Sequence, residues 1–222
     1  VRDMIPGSAA GSDVTIFGAT AQDLLGYTLL LADVTGDGVA DLIVSAIQAD
    51  GPEEKRPDAG EVYIFFGGMT LASSRTRDVA GLLAPGPDVV LYGAEAFDEF
   101  GAALAAADLD GNGLPDLLVG APGGDAKENQ KIDAGEVYVF LDRNLSHSGA
   151  VRDVGGSTAE QPDLFIFGPN NGERLGSFIA LGDVNGDGWL DLLMSAPEGG
   201  GVRLSAGSVY IVFGPIMSGG GG

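Results

Sequence analysis

Apolar and polar positions alternate along the chain in short runs, and turns rich in glycine and aspartate separate these runs. Runs of this kind are typical of β-strands, and no stretch keeps the 3.6-residue period of an amphipathic helix. The run 117–121 and its counterparts at 42–46 and 192–196 are nearly continuous in apolar residues, as expected for strands that are buried on both faces. The pattern therefore predicts an all-β protein.

The same pattern occurs three times, so internal repeats organise the chain. A triplet ending in Arg-Asp recurs every 75 residues, at 1–3, 76–78 and 151–153. A Gly-x-Val-Tyr segment begins at 60, 135 and 207, and its last interval is 72 residues because the preceding loop is three residues shorter. We divide the chain into repeats 1–75, 76–150 and 151–222, the last of which ends in a glycine-rich tail.

The pattern of apolar runs and turns predicts four strands in each repeat. The predicted strands are 27–32, 102–107 and 177–182 (strand one), 42–46, 117–121 and 192–196 (strand two), 61–66, 136–141 and 208–213 (strand three), and 13–18, 88–93 and 163–168 (strand four). Strand four opens each repeat but is expected at the outer edge of the preceding sheet. Four-stranded units repeated around an axis form a β-propeller, and the small side chains of 102–107 suit its innermost strand. A β-solenoid is the alternative, although its coils are usually only about 20–30 residues long.

The turn between strands one and two carries an aspartate-rich pattern of nine residues in every repeat, at 33–41, 108–116 and 183–191. Side-chain oxygens at alternate positions converge when the backbone coils tightly, and the two glycines permit that coil. Calcium prefers a ring of about six to eight oxygen ligands. An EF-hand is excluded, because it needs flanking helices and a glutamate at position twelve, where the chain has Val44, Val119 and Met194. The loops therefore predict three calcium ions.

Composition narrows the function. The formal charge is −21, with only 11 basic residues, which excludes nucleic acid as a partner. No apolar run approaches the roughly 18 residues of a membrane span, so we expect no membrane insertion. The chain has no cysteine, and its only histidine, His147, lies in a polar segment beside a glycosylation sequon at Asn144. Because no convergent nucleophile or acid–base set is visible, we expect no enzymatic activity.

The segment 100–122, followed by 135–140, resembles the FG-GAP repeat, the unit of integrin α-type β-propellers and of many bacterial extracellular proteins. Its motifs are Phe100-Gly101, the acidic loop and Gly120-Ala121-Pro122. The resemblance covers all three repeats, with departures that include Leu25-Gly26 and Leu175-Gly176 in place of Phe-Gly.

The resemblance implies a calcium ion in each hairpin between strands one and two. The side chains at positions one, three, five and nine and the carbonyl at position seven would be the ligands. These residues are Asp33, Thr35, Asp37, Val39 and Asp41 in loop 1, Asp108, Asp110, Asn112, Leu114 and Asp116 in loop 2, and Asp183, Asn185, Asp187, Trp189 and Asp191 in loop 3.

Two classes of function remain open. The first is a non-catalytic, extracellular or cell-surface module for adhesion, protein–protein interaction or structural assembly. The second is an accessory propeller of a larger secreted enzyme, a hydrolase or lyase, whose catalytic domain lies outside this chain.

Strand counting predicts the partners. The segment 13–18 is a fourth strand without a preceding blade, and the third repeat has no fourth strand after it. Unpaired edges of this kind favour strand addition. Three blades are fewer than the usual four to eight or so of a closed ring. We therefore expect self-association by strand exchange, as a six-bladed dimer or a head-to-tail filament. Further blades of a longer chain are the alternative.

Overall fold

The structure, a computed structural model, describes residues 13–82, 85–126, 129–142, 145–147, 149–156, 161–200 and 206–217. The sequon at Asn144, the triplet at 1–3 and the tail at 218–222 lie outside these residues. The described strands are β1 (Thr15–Phe17), β2 (Leu25–Ala32), β3 (Asp41–Ala46), β4 (Glu61–Phe65), β5 (Thr76–Asp78), β6 (Val89–Tyr92), β7 (Ala103–Ala107), β8 (Asp116–Ala121), β9 (Glu136–Phe140), β10 (Ala150–Asp153), β11 (Leu164–Phe167), β12 (Ile179–Gly182), β13 (Asp191–Ala196) and β14 (Ser208–Val212). One short helix, α1 (Met69–Ala72), and a 3₁₀ turn (Pro52–Glu54) accompany them. Neither is long and apolar enough to cross a membrane.

The strands form three blades. Blade 1 has the strand order β2-β3-β4-β6-β10, blade 2 has β7-β8-β9-β11, and blade 3 has β12-β13-β14. The fourth strand of a blade comes from the following repeat, since β6 pairs antiparallel with β4 and β11 pairs antiparallel with β9. Strand four therefore belongs to the preceding sheet, as the sequence predicts, and in blade 2 it forms the outer edge of that sheet.

A fifth strand is the feature that strand prediction did not include. The Arg-Asp triplet at 151–153 belongs to β10, which runs parallel to β6 with Val151 opposite Val90. The equivalent triplet forms β5, which runs parallel to β1 with Arg77 opposite Ile16. The segment 13–18 is thus paired on one side, and the blades have five, four and three strands rather than four each. The strands β5 and β10 have only three and four residues, too few to show a clear alternation of apolar and polar positions. The Arg-Asp triplets were therefore recognised in the sequence as a mark of the repeat and not as strands.

The blades pack face to face around their innermost strands, because β2 contacts β7 and β7 contacts β12. Alternate residues of each central strand face opposite neighbours. Ile43 and Ile64 of blade 1 pack against Leu117 and Val119 of blade 2 in one cluster. Leu118 on the opposite face of β8 packs in a second cluster with blade 3. The architecture is a partial β-propeller, and the continuous apolar run 117–121 is β8, which is buried between two blades.

Close backbone contact between a glycine and the next blade joins neighbouring blades. The N–H of Phe100 donates to the carbonyl of Ala59 at 2.9 Å, and that of Leu175 donates to the carbonyl of Ala134 at 3.0 Å. A Cβ atom on the next residue, Gly135, would lie 2.1 Å from the backbone nitrogen of Leu175. Only glycine fits there, and the Phe-Gly and Leu-Gly pairs of the sequence therefore dock against the preceding blade.

Candidate metal centres

The three acidic loops connect β2 to β3, β7 to β8 and β12 to β13, at the same end of each blade. The first aspartate organises the coil. Asp33 Oδ1 accepts hydrogen bonds from the N–H groups of Gly36 and Asp37 at 2.8 and 3.1 Å, and its Oδ2 accepts one from Gly38 at 2.8 Å. Asp108 and Asp183 make the equivalent bonds. The backbone coils tightly, as the pattern predicts, and it is wound around the carboxylate at position one.

The aspartate at position nine anchors the loop to the body of the blade. Asp116 is fully buried, and its Oδ2 accepts from the N–H of Leu109 at 2.8 Å while its Oδ1 accepts from that of Asp142 at 3.0 Å. Asp41 and Asp191 occupy the same position with equivalent bonds. This carboxylate joins the loop to the chain that leaves strand three.

The electrostatic setting of position nine differs between blades. Burial raises the pKa of Asp41 and raises that of Asp116 to about 6, although backbone hydrogen bonds oppose the shift. Hydrogen bonds from Gly214 and other backbone N–H groups lower the pKa of Asp191 instead. Within the described residues blade 3 packs against blade 2 alone, and at Asp191 the hydrogen bonds outweigh the effect of burial on the pKa. A bound cation would favour the ionised form at all three positions.

Loop 2 brings its carboxylates closest together. Oxygens of Asp108, Asp110 and Asp116 lie within 4.8 Å of one another, the one such acidic cluster among the described residues. Three carboxylates this close repel one another unless a cation lies between them. The loop's donors are oxygens, which suits a hard cation such as calcium.

The residue at position three explains why loops 1 and 3 lack the cluster of three carboxylates that loop 2 contains. Thr35 stands there in loop 1 and donates its hydroxyl to Asp33 Oδ1 at 3.3 Å. Asn185 stands there in loop 3 and donates its amide to Asp187 Oδ2 at 2.9 Å. Hydroxyl and amide oxygens are neutral ligands that calcium accepts. These loops therefore offer one carboxylate fewer than loop 2 at positions one, three and nine.

Position five bonds to the backbone two residues later. Oxygens of Asp37, Asn112 and Asp187 accept the N–H groups of Val39, Leu114 and Trp189 at 2.8, 2.7 and 2.9 Å. The turn is thereby fixed at position seven. Coordination by the carbonyls of Val39, Leu114 and Trp189 stays a prediction.

Neighbouring loops contact each other through the side chain at position seven. A Cβ atom on Gly36 of loop 1 would lie 2.9 Å from Cδ2 of Leu114 in loop 2. Trp189 of loop 3 lines a small cavity of about 40 Å³ together with Asp108 and Gly111 of loop 2. The large apolar residue at this position thus packs locally between loops, although 55 % of Trp189 remains exposed.

Buried acids at the opposite end of the blades were not identified from the sequence. Glu61 and Glu136 begin strand three, and they accept hydrogen bonds from the hydroxyls of Tyr63 and Tyr138. Burial raises the pKa of Glu61 to about 7, and it raises that of Asp98 to about 7 as well. The sequence did contain a signal for these buried acids, namely a glutamate two residues before a tyrosine on an apolar strand. Alternate residues of a strand share a face, so the two side chains lie side by side.

The raised pKa of Glu61 predicts a pH-dependent stability. The folded state holds the proton more tightly than the unfolded state, whose glutamate titrates near 4.5, so stability falls as the pH rises from about 4.5 to about 7. Glu61→Gln keeps an acceptor for Tyr63 and removes the buried charge. We expect it to stabilise the chain by about 1–3 kcal/mol at pH 8 and by much less at pH 5, in denaturant titrations with calcium held constant.

The exposed Glu198 provides the matched control, because Glu198→Gln removes a surface charge and is expected to change stability by under about 0.5 kcal/mol at either pH. An equal gain from Glu61→Gln at both pH values would contradict the prediction.

Comparison with known proteins identifies the repeats. The family model for the FG-GAP repeat matches residues 25–65, 100–140 and 175–212, more than half of the chain. Each match begins at the Leu-Gly or Phe-Gly pair, contains the acidic loop and ends in strand three.

Relatives of two kinds match the chain. Integrin alpha-3 of Mus musculus is 37 % identical over 122 residues, which cover 55 % of this chain and 10 % of that protein. The phosphatidylinositol-glycan-specific phospholipase D of Mus musculus is 31 % identical over 185 residues, 83 % of this chain and 20 % of that protein. The same phospholipase of Homo sapiens is 30 % identical over 198 residues, 87 % of this chain and 21 % of that protein. The chain thus spans only a tenth to about a fifth of these relatives. With three matched repeats and the propeller architecture, the chain belongs to the FG-GAP repeat family.

Proposed function

We propose that the chain is a non-catalytic, calcium-binding β-propeller module that acts outside the cell or at its surface, in adhesion, protein–protein interaction or structural assembly. The observation that carries this proposal is the convergence of Asp108, Asp110 and Asp116 in a loop wound around its first carboxylate. Calcium supplies the positive charge that such a cluster needs. Each ion fastens a hairpin at one end of a blade.

The proposed centres hold three calcium ions, one per loop. Positions one, three, five and nine supply side-chain oxygens, and position seven supplies a carbonyl. Position nine already ties the loop to the end of strand three, so an ion bound there would stiffen both the hairpin and the adjoining strand. The proposed role of the metal is therefore structural.

Other protein chains are the proposed partners, through self-association by strand exchange or through further blades of a longer chain. The similarity to integrin alpha chains supports protein contacts. The charge of −21 argues against nucleic acid, and we propose no insertion into a membrane.

A second function is favoured by one specific observation. The match to the phospholipase D covers 83 % of this chain but only 20 % of that enzyme. We keep as the alternative that the module is an accessory propeller of a larger secreted hydrolase or lyase. Sequence that flanks this chain in its gene distinguishes the two, because only the alternative requires a neighbouring catalytic domain.

Calorimetric titration of the chelator-treated chain with calcium tests the proposal. We expect three ions per chain, and two for Asp110→Ala, which removes a carboxylate from loop 2 while the bonds of Asp108 and Asp116 remain available. Glu54→Ala, a change at an exposed acid outside the loops, is the matched control and should keep three. Absence of calcium binding, or a stoichiometry that Asp110→Ala leaves unchanged, would count against the proposed centres.

A further inference from the structure

The aspartate that follows strand three of blade 2, Asp142, lies against loop 2. Its backbone N–H donates to Oδ1 of Asp116, the carboxylate at position nine, at 3.0 Å. Its side chain returns to the same loop, because Asp142 Oδ1 accepts a hydrogen bond from Nδ2 of Asn112, the residue at position five, at 2.7 Å. Asp142 therefore contacts the proposed metal centre at two points, although it lies 26 residues beyond position nine.

The other two blades have glycine where blade 2 has Asp142. These glycines are Gly67 and Gly214, whose N–H groups make the same bond to the aspartate at position nine. A Cβ atom on Gly67 would lie 2.3 Å from the carbonyl oxygen of Ala40, and one on Gly214 would lie 2.5 Å from that of Leu190. The backbone bond is thus common to all three blades, whereas the carboxylate of Asp142 is particular to blade 2.

Position five differs in the same blade. Loops 1 and 3 have Asp37 and Asp187 there, and loop 2 has the neutral Asn112. Positions one, three, five and nine together contain three carboxylates in each loop, and Asp142 brings the number around loop 2 to four. The carboxylate that loop 2 lacks at position five is therefore supplied one hydrogen bond away, by Asp142.

The hydrogen bonds of Asn112 fix which of its amide atoms faces the loop. Its Nδ2 donates to Asp142, and its Oδ1 accepts the N–H of Leu114 at 2.7 Å. Rotation of the amide by half a turn would place two oxygens against each other at one end and two N–H donors against each other at the other. Asp142 thereby keeps the oxygen of Asn112 on the side of the loop, where calcium needs oxygen ligands.

The burial of Asp142 strengthens the effect of its charge on this centre. The residue is only 8 % exposed, and a buried carboxylate is costly unless a positive charge or hydrogen bonds compensate it. The pKa of Asp116 is raised mainly by burial and further by the negative charges of Asp110 and Asp142. The charge of Asp142 therefore acts on the carboxylate at position nine, and a divalent cation in loop 2 would offset this repulsion.

We propose that Asp142 is a positioning residue of the loop-2 centre, which keeps the oxygen of Asn112 available to the ion and adds a fourth negative charge. The proposal rests on the proposed calcium-binding function and goes beyond it, because it ranks the three centres. The charge and the rigidity of the ligands set calcium affinity. Loop 2 therefore binds calcium most tightly and is filled before loops 1 and 3.

Nuclear magnetic resonance can follow the three centres separately in one titration. The glycine at position six of each loop donates its N–H to the aspartate at position one, with distances of 2.8, 2.8 and 2.9 Å for Gly38, Gly113 and Gly188. Each amide signal therefore reports the occupancy of its own loop. With the free calcium concentration set by a chelator buffer, we expect the Gly113 signal to change at a lower concentration than the other two.

Asp142→Asn removes the charge but keeps an oxygen that can accept from Asn112. We expect it to raise the calcium concentration that half-saturates loop 2 by about 10–100-fold, the usual cost of changing a hydrogen-bond partner of a metal ligand. The signals of Gly38 and Gly188 should keep their wild-type transitions, which also shows that the variant is folded.

The double variant Asn112→Asp with Asp142→Asn tests the exchange of charge between the two positions. It places a carboxylate at position five, as in loops 1 and 3, and leaves a hydrogen-bond donor at 142. We expect it to regain most of the affinity that Asp142→Asn loses.

Asp163→Asn is the matched control, because Asp163 Oδ2 accepts the N–H of Leu141, the residue before Asp142, at 2.9 Å. It removes a carboxylate beside the same strand end without removing the partner of Asn112. The Gly113 transition should stay at its wild-type calcium concentration.

A residue that only held the end of strand three would tolerate Asp142→Asn, so wild-type affinity of loop 2 in that variant would overturn the proposal. So would a Gly113 transition that is not the first of the three, or a double variant that binds no more tightly than Asp142→Asn. Any of these results with three ions bound would overturn this proposal alone. Absence of calcium binding at all three loops would overturn the proposed function with it.

Discussion

Chelation of calcium is expected to lower the melting temperature of the chain by roughly 15 °C or more. An ion present at a hundred times its dissociation constant stabilises the folded state by about 2.7 kcal/mol per site, so three sites contribute about 8 kcal/mol. Each kcal/mol is worth about 2–4 °C in a chain of this size. The loss arises because the fold holds carboxylates close together, most closely Asp108, Asp110 and Asp116 of loop 2, and these repel one another without the ion.

Circular dichroism melts with a chelator, and again after calcium is restored, measure the effect. Magnesium at the same concentration should restore less of the lost melting temperature, because it needs near-ideal octahedral geometry and gives up its bound water reluctantly. On chelation, the melting temperature of Asp110→Ala should fall by less than that of the wild type. A melting curve that responds to neither chelator nor calcium would show that the loops are aspartate-rich turns without metal.

Gly135→Ala is expected to destabilise the chain by about 4 kcal/mol or more, which is exceptional for the addition of one methyl group. The added Cβ would lie 2.1 Å from the nitrogen and 2.2 Å from the oxygen of Leu175, and both atoms belong to the backbone of the next blade. Neither can move without breaking the bond from Leu175 to Ala134. The positive φ of Gly135, +83°, adds strain of its own.

Gly172→Ala is the matched control, because Gly172 also has a positive φ, +69°, but no atom lies within 4 Å of the added Cβ. We expect it to lose only about 1 kcal/mol. The difference between the two variants in chemical denaturation, with calcium present, isolates the contact between blades. Equal losses would mean that backbone strain, rather than the approach of blade 3, fixes the glycine at 135.

Hydrophobic patterning predicted the inner part of each blade and could not predict its outer rim. Strands two and three, such as β8 and β9, are continuous apolar runs because blades pack on both of their faces. Strand four was assigned to the preceding sheet from the order of the repeat, and β6 and β11 confirm that assignment. The three-residue strand β5 has no pattern to read, and its parallel pairing follows from the path of the chain around the rim.

The acidic loops were recognisable because their spacing is rigid, but their geometry was only partly readable. The nine-residue pattern predicted a tight coil, and the structure shows that the coil is wound around Asp33 through bonds from Gly36 and Gly38. Sequence could not show that Thr35 donates to that same carboxylate, since rotamers at position three depend on the folded loop. The buried Glu61 was missed for a related reason, because an isolated glutamate is usually solvated and only the packed blade makes it unusual.

The offset between repeats and blades has a consequence for how this architecture can grow. Because blades 1 and 2 take their fourth strand from the following repeat, each of the repeats 76–150 and 151–222 carries both the inner strands of one blade and the fourth strand of the previous one. Duplication of one whole unit within a gene therefore inserts a complete blade and leaves every strand pairing intact. Loss of one whole unit likewise leaves the pairing of the remaining strands intact. The number of blades can therefore change in evolution without any new kind of contact between strands. The geometry of the ring determines which numbers of blades are retained.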